Sequence, residues 1–153
     1  MFKNIFRALL IFLPIITACS PTNISGEVVK ASSYSVVETA DRFETILNDK
    51  GLTLFARIDH TANAKSVDMT LRPTELIVFG NPKLGTPLMQ CEQLVALDLP
   101  QKLLIWEDDQ GKVWVTYNSP SYLQKRHSVK GCDEVLAKIT KALDRLVKAA
   151  AGN

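Results

Sequence analysis

Residues 80–86 combine glycines, an amide and an ammonium group in a short segment that could bind a small ligand. Gly80, Asn81, Lys83, Gly85 and Thr86 follow an apolar run and precede a segment with helical periodicity. Backbone N–H groups at a helix start are free to bind a polar ligand group, and glycines allow its close approach. We therefore expect any small-ligand site to include this loop. The alternative interpretation is a rigid structural turn.

The same loop is spaced like the phosphate-binding G-x-x-x-x-G-K-[ST] loop but lacks its lysine. Thr86 stands where Lys is required, and Pro87 removes a backbone N–H group that would face a phosphate. The sequence thus argues against a nucleoside triphosphate site. It contains no other motif that would name a cofactor, so none is predicted.

His60 is the remaining candidate for a polar ligand contact, because an imidazole titrates near neutral pH and can act as a base or a metal ligand. His127 lies in a distant segment of the chain. The two histidines do not have the spacing of a zinc motif, and no nucleophile lies in a G-x-S-x-G context. We therefore predict no catalytic residue and no metal. The alternative is that His60 is exposed at a strand end and His127 is solvated.

Cys91 and Cys132 could form a disulfide, since an even pair of cysteines in an oxidising compartment favours one. Cys91 lies on an apolar helical face, where buried free thiols are common. Cys132 lies near the start of the last helix, where a thiolate is favoured. A disulfide, free thiols, and a redox or metal role are the alternatives.

The first residues have the order of a secretory signal. Lys3 and Arg7 precede an apolar stretch over residues 8–16 that is too short to span a bilayer permanently. The run Ile16-Thr17-Ala18-Cys19 resembles the bacterial lipobox, with Ile in place of the usual Leu. The resemblance implies cleavage before Cys19 and lipidation of its thiol. The alternative is an ordinary signal peptide or an uncleaved anchor.

Ser20 follows the cysteine, and the sorting rule of enteric-type bacteria then implies that the protein is located in the outer membrane, facing the periplasm.

Cleavage of residues 1–18 would remove two of the 18 Lys and Arg residues, which leaves 16 against 16 Asp and Glu. A balanced charge argues against a nucleic-acid partner and against polybasic binding to lipid headgroups. Acyl chains on Cys19 would instead attach the protein to the membrane.

Size and composition divide the exported part into a tether and one domain. Residues 19–33 are polar, carry Pro and Gly, and lack a sustained hydrophobic period, so we predict a lipidated cysteine followed by a flexible tether. Residues 34–151 are enough for a single domain with its own core.

Hydrophobic periodicity and turn residues predict the elements of that domain. Residues 34–37 form a short β-type run, and Thr39 is expected to cap the first helix. The remaining predictions are a helix over residues 40–50, strands over 52–58 and 74–79, a helix from Thr86 to residue 97, a hairpin with strands 102–107 and 112–118, and a final helix with the apolar stripe Val135, Leu136, Ile139, Leu143, Leu146 and Val147.

Six short blocks stand out along the middle of the chain. The most specific is FGNPKLGTPLM at residues 79–89, and the others are IDH at 58–60, LRPTEL at 71–76, LDLP at 97–100, WED at 106–108 and YNSP at 117–120. In this order and spacing they resemble one bacterial family, domain of unknown function 302, over residues 36–129. The resemblance implies an α+β fold in which an antiparallel sheet of about five strands is packed by helices, in β-α-β(n)-α order, similar to the TATA-binding protein. It implies no activity.

Together these observations favour a non-enzymatic module of the cell envelope that binds a small ligand or an envelope protein. An enzyme with a pocket formed by residues 80–86 and His60 is the first alternative. A thiol-redox or metal-handling protein using Cys91, Cys132 and the histidines is the second.

Overall fold

A computed structural model of the chain describes residues 26–152, which form a five-stranded antiparallel sheet with helices packed against it. The strands are β1 (Glu27–Ala31), β2 (Thr53–Asp59), β3 (Thr74–Gly80), β4 (Gln101–Glu107) and β5 (Val113–Asn118). The helices are α1 (Val36–Asp49), α2 (His60–Lys65), α3 (Pro82–Cys91), α4 (Pro120–Arg126) and α5 (Asp133–Ala151), with a 3₁₀ helix at Gln93–Leu97. The predicted α+β fold with five antiparallel strands is confirmed. The predicted signal peptide and Cys19 lie outside the described residues.

The sheet has the strand order β1-β5-β4-β3-β2, so β1 and β2 form its two edges. Alternate residues of the three central strands are buried, as in the pattern Ile77 and Phe79 of β3 and Leu103 and Ile105 of β4. This period of two is expected for a sheet with one face against a core. Phe43 of α1 packs edge-on against Phe79, with ring centroids 4.9 Å apart.

Helix α5 carries the apolar stripe that the sequence predicts. Leu136, Ile139, Leu143, Leu146 and Val147 are buried, and Val135 packs against the same core. Spacing of three and four residues places these side chains on one side of a helix, and burial of that side is what stabilises it. Gly152 ends the helix in the left-handed conformation, with φ of 77°.

The start of α1 differs from the prediction. The hydroxyl of Ser35 accepts a hydrogen bond from the N–H of Glu38 and caps the helix, which begins at Val36. Thr39 lies inside the first turn and donates its hydroxyl to the carbonyl of Ser35. The predicted β-type run over residues 34–37 is therefore wrong, because the cap and the burial of Val36 outweigh the β propensity of two consecutive valines.

Strand β1 lies within the segment predicted as a tether over residues 19–33, so the ordered domain begins earlier than expected. It pairs with β5 along its whole length, from Glu27 opposite Asn118 to Ala31 opposite Trp114. The strand has only five residues, and its partner is about ninety residues away in sequence. Such pairing depends on tertiary context, which no local pattern shows.

Helix α3 also begins earlier than predicted. Pro82 occupies the first turn, where its missing N–H group costs nothing, and Asn81 caps the helix by accepting from the N–H of Lys83. The helix ends at Cys91, and the 3₁₀ helix follows it. Helices α2 and α4, each of six or seven residues, were not predicted. Within the described residues, no helix is long and apolar enough to cross a membrane.

Candidate ligand cavity

The register of the strands brings three strand ends together at one end of the sheet. Phe79 near the end of β3 pairs with Gln101 at the start of β4 and with Leu54 near the start of β2. The chain between β3 and β4 forms α3 and the 3₁₀ helix, so both elements lie over this same end. We call it the cavity end, because a cavity of about 260 Å³ opens there.

The cavity lies between the sheet, α3, α5 and the segment that leads into β4. Its lining is mostly aliphatic and aromatic: Leu52, Phe55, Phe79, Gly80, Asn81, Pro82, Leu84, Gly85, Thr86, Met89, Ala96, Leu99, Pro100, Gln101, Ile139, Ala142, Leu143 and Leu146. Phe55 is 53% exposed, so the cavity reaches the surface beside this ring. A volume of this size exceeds the roughly 150 Å³ that accommodates benzene in a protein core.

Gln101 is the polar group that distinguishes this cavity from a packing defect. Its side chain lies on the core face of β4, is 8% exposed, and lines the cavity. The Nε2 atom has no hydrogen-bond partner among residues 26–152. A buried donor without an acceptor costs about 1–3 kcal/mol, and such groups are uncommon in folded proteins. The amide therefore lies buried in the cavity wall without an acceptor of its own.

The structure brings together four of the six predicted site residues. Gly80, Asn81, Gly85 and Thr86 all line the cavity. Lys83 is exposed on the outer side of α3 and is not part of the lining. The predicted loop is thus mostly the first half of a helix, and Asn81 serves as its cap.

His60 does not belong to this site. It is the first residue of α2, which follows the far end of β2, whereas Phe55 near the start of β2 lines the cavity. Five residues of strand separate the two by roughly 17 Å. His60 therefore lies apart from the cavity beside residues 80–86, because β2 places its two termini at opposite ends of the sheet.

Gln101 and the part of the lining that comes from α5 are not among the predicted site residues. Gln101 precedes Leu103 and Ile105 at intervals of two, so the alternation itself places a glutamine on the buried face. That signal was available in the sequence. The contribution of Ile139, Ala142 and Leu146 was not, because it depends on how α5 crosses the sheet.

His127 is buried instead of solvated. Its Nε2 lies 2.5 Å from Oδ2 of Asp98, and Arg126 reaches the same carboxylate at 3.4 Å. These contacts connect the end of α4 to the segment just before Leu99, Pro100 and Gln101 of the cavity wall. The pair therefore supports the cavity but does not line it.

Cys91 and Cys132 are placed as a disulfide, with their Cα atoms 6.3 Å apart. The bond joins the end of α3 to the residue that precedes α5. Both helices contribute to the cavity wall, so the bond fixes the spacing between two of its sides. Among the described residues, no three His, Cys, Asp or Glu side chains come close enough to hold a metal ion.

Most of the chain matches one protein family. Residues 28–146 match the family described as domain of unknown function DUF302. The chain belongs to this family. The match covers all five strands except the first residue of β1, and it includes the whole cavity lining.

A solved structure shares the DUF302 fold. A crystal structure of an uncharacterized conserved DUF302 protein from Bacillus stearothermophilus superposes with a TM-score of 0.74 and 20% sequence identity. The superposition covers 82% of this chain and 98% of that one. At this identity the likeness concerns the fold alone.

Sequence relatives include proteins with a much longer chain. A protein of Brucella suis named fluoride-specific ion channel FluC 1 is 46% identical over 114 residues, which is 74% of this chain and 45% of that protein. A protein of Brucella melitensis named FluC 2 has the same identity over 42% of its length. The chain thus spans less than half the length of the relatives that it matches.

Outside the cavity, the DUF302 domain contains a charged cluster between α1 and the sheet edge. Arg57 of β2 donates to Glu75 of β3 and to Asp41 of α1, each at 2.6 Å, and contacts Glu44 at 3.3 Å. The bond to Glu75 is the main reason that the pKa of Arg57 is raised above its ordinary value. Glu75 is buried and needs this partner, so we assign the cluster a structural role.

Proposed function

We propose that this DUF302 domain binds a compact, mostly apolar ligand that carries one hydrogen-bond acceptor, and that a lipidated Cys19 tethers the domain to a bacterial membrane. The observation that supports ligand binding is the unpartnered Nε2 of Gln101 in an otherwise apolar cavity. A ligand oxygen in reach of this amide would recover the free energy that the buried donor costs in the unliganded protein.

The cavity volume limits the size of the ligand. At roughly 25–30 Å³ for each water-sized group, 260 Å³ accommodates about ten non-hydrogen atoms. This excludes a whole phospholipid and fits a bicyclic phenol or a medium-chain fatty acid. 2-Naphthol and octanoate are therefore suitable first probes.

The chemistry of the lining supports binding over catalysis. Its polar side chains are the amides of Asn81 and Gln101 and the hydroxyl of Thr86. Among the described residues, no titratable side chain lines the cavity, so general acid–base chemistry has no donor there. Cys91 and Cys132 are bonded to each other, and neither is part of the lining, so they offer no free thiol to the cavity.

Binding of 2-naphthol and of naphthalene by wild type and by Gln101→Met tests the proposal. We expect wild type to prefer 2-naphthol by about tenfold, which corresponds to one hydrogen bond of about 1.4 kcal/mol. Gln101→Met keeps the side-chain length but removes the donor, so the preference should disappear while naphthalene still binds. Ala142→Phe should fill the cavity and abolish binding of both.

His60→Ala and Lys83→Ala serve as controls, because neither side chain lines the cavity. Both should bind 2-naphthol as wild type does. An undiminished preference for 2-naphthol in Gln101→Met would show that the amide is not the donor. Unchanged binding in Ala142→Phe would place the ligand elsewhere.

The lipid anchor has its own test. Growth with radiolabelled palmitate should label the wild-type protein and not Cys19→Ser. Because cleavage before residue 19 requires the modified cysteine, Cys19→Ser should also keep residues 1–18 and run as the heavier precursor, whereas the wild type is processed. Equal labelling of both proteins would remove the basis for the anchor.

A second candidate function follows from the relatives named as fluoride-specific ion channels. Since 46% identity extends over 114 residues of those proteins, we propose as the alternative that this domain assists fluoride handling at a membrane. Deletion of its gene should then sensitise the host to fluoride, and Ala142→Phe should fail to complement if the cavity is involved. Unaltered fluoride tolerance after deletion would reject this candidate.

A further inference from the structure

Three apolar side chains are exposed around the cavity end. Leu94 is 65% and Leu97 is 73% exposed, and Phe55 at the cavity opening is 53% exposed. In a 3₁₀ helix, residues three apart lie on the same side, so Leu94 and Leu97 present one apolar surface while Val95 is buried. Ala96 between them lines the cavity. We call Phe55, Leu94 and Leu97 the cavity rim.

The chain enters the domain at this same end. Glu27 of β1 pairs with Asn118 of β5. Because Thr116 of β5 pairs with Leu104 of the antiparallel strand β4, Asn118 lies opposite the residue that follows Gln101. Two or three strand spacings, roughly 10–15 Å, therefore separate the start of β1 from the cavity. The first described residue, Gly26, lies next to this start.

The length of chain before β1 limits how far the domain can lie from a membrane. Seven peptide bonds join Cys19 to Gly26, and this stretch of chain cannot span more than about 25 Å. An acylated Cys19 would therefore keep the cavity end close to the bilayer. The opposite end of the sheet, where β2 ends and β3 begins, would face away.

We propose that the cavity rim docks on the lipid bilayer, so that the cavity opens toward the membrane and takes up a ligand dissolved in it. This inference rests on the lipid anchor of the proposed function. Docking would remove the three rim side chains from water, which favours contact with the interface by the hydrophobic effect. It would also place the cavity, with Gln101 in its wall, next to the apolar interior of the bilayer. A compact amphiphile concentrates in that phase.

The test compares two tryptophan substitutions in the lipidated protein, reconstituted into vesicles of phosphatidylethanolamine and phosphatidylglycerol with brominated acyl chains. Leu97→Trp reports on the rim, and Met69→Trp reports on an apolar side chain of similar exposure at the opposite end, between α2 and β3. Leu94→Trp provides a second rim position. Trp106 and Trp114 contribute the same background to all samples.

We expect the added emission of Leu97→Trp and Leu94→Trp to shift to shorter wavelength and to be mostly quenched by the brominated lipid. The added emission of Met69→Trp should stay unquenched. Rim emission that is not quenched would overturn the inference, and so would equal quenching at both ends. A shift without quenching would indicate that a second copy or another protein covers the rim, which also overturns it.

Binding of 2-naphthol by the same reconstituted samples separates this inference from the proposed function. If the rim is not quenched but 2-naphthol binds with a dependence on Gln101, the docking is wrong and the ligand site stands. If the rim is quenched but 2-naphthol and octanoate do not bind, the docking stands and the proposed ligand class is wrong.

Discussion

Nε2 of His127 lies 2.5 Å from Oδ2 of Asp98, and both side chains are more than nine-tenths buried. Asp98 directly precedes the Leu99-Pro100 peptide and Gln101 of the cavity wall, whereas His127 ends α4. The contact therefore ties two segments that lie 29 residues apart in sequence. Its loss should affect both stability and the cavity.

His127→Ala should lower the free energy of unfolding by about 2–4 kcal/mol, because Asp98 would be left buried with a weaker partner. Urea denaturation followed by circular dichroism measures this change. His60→Ala is the matched control at a site away from the core, and it should cost less than about 0.5 kcal/mol. Equal midpoints for the two variants would contradict the assigned role.

Gln101→Met should raise the stability of the unliganded protein by about 1 kcal/mol, since it removes a buried donor that has no acceptor. Thermal unfolding in the absence of any ligand detects this change. Gln124→Met is a control, because Gln124 donates to Asp133 near the surface and should gain nothing. A clear loss of stability in Gln101→Met would mean that the amide is already satisfied.

Replacing Cys91 and Cys132 together by Ser should destabilise the domain by about 4 kcal/mol in the chain-entropy account, given a sequence separation of 41 residues. Urea denaturation with and without a reductant measures the effect. The reductant should lower the midpoint of the wild type but not that of the double variant. A wild-type midpoint that is the same with and without the reductant would refute the bond, and so would two free thiols in the denatured unreduced protein.

Lys30 of β1 and Lys148 both bond to Asp144 of α5, and the bond from Lys30 is the main reason that the pKa of Asp144 is lowered. A carboxylate with a lowered pKa in the folded state stabilises the fold above its unfolded pKa of about 3.9 and loses this contribution as the pH falls further. Lys30→Met should therefore reduce the difference in stability between neutral and acidic pH. The same pH dependence in wild type and Lys30→Met would contradict this.

The elements with a local signal can be predicted from the amino-acid sequence. The central strand β3, the hairpin of β4 and β5, and the apolar stripe of α5 each follow from local hydrophobic patterns and turn residues, and the structure confirms all three. The family followed from the block FGNPKLGTPLM, and the family match confirms it. Four of the six predicted ligand residues line one cavity because they are contiguous in sequence.

The contacts between segments that are distant in sequence are seen only in the tertiary structure. Strand β1 forms only because β5 offers an edge about ninety residues away, and His60 is separated from the cavity because β2 runs the length of the sheet. The cavity exists because α3 and α5 meet the sheet beside Gln101, and the alternation that places this glutamine on the buried face does not show that a cavity lies there. The free energies of strand pairing and side-chain packing depend on contacts between distant segments. Local sequence patterns do not reveal those contacts.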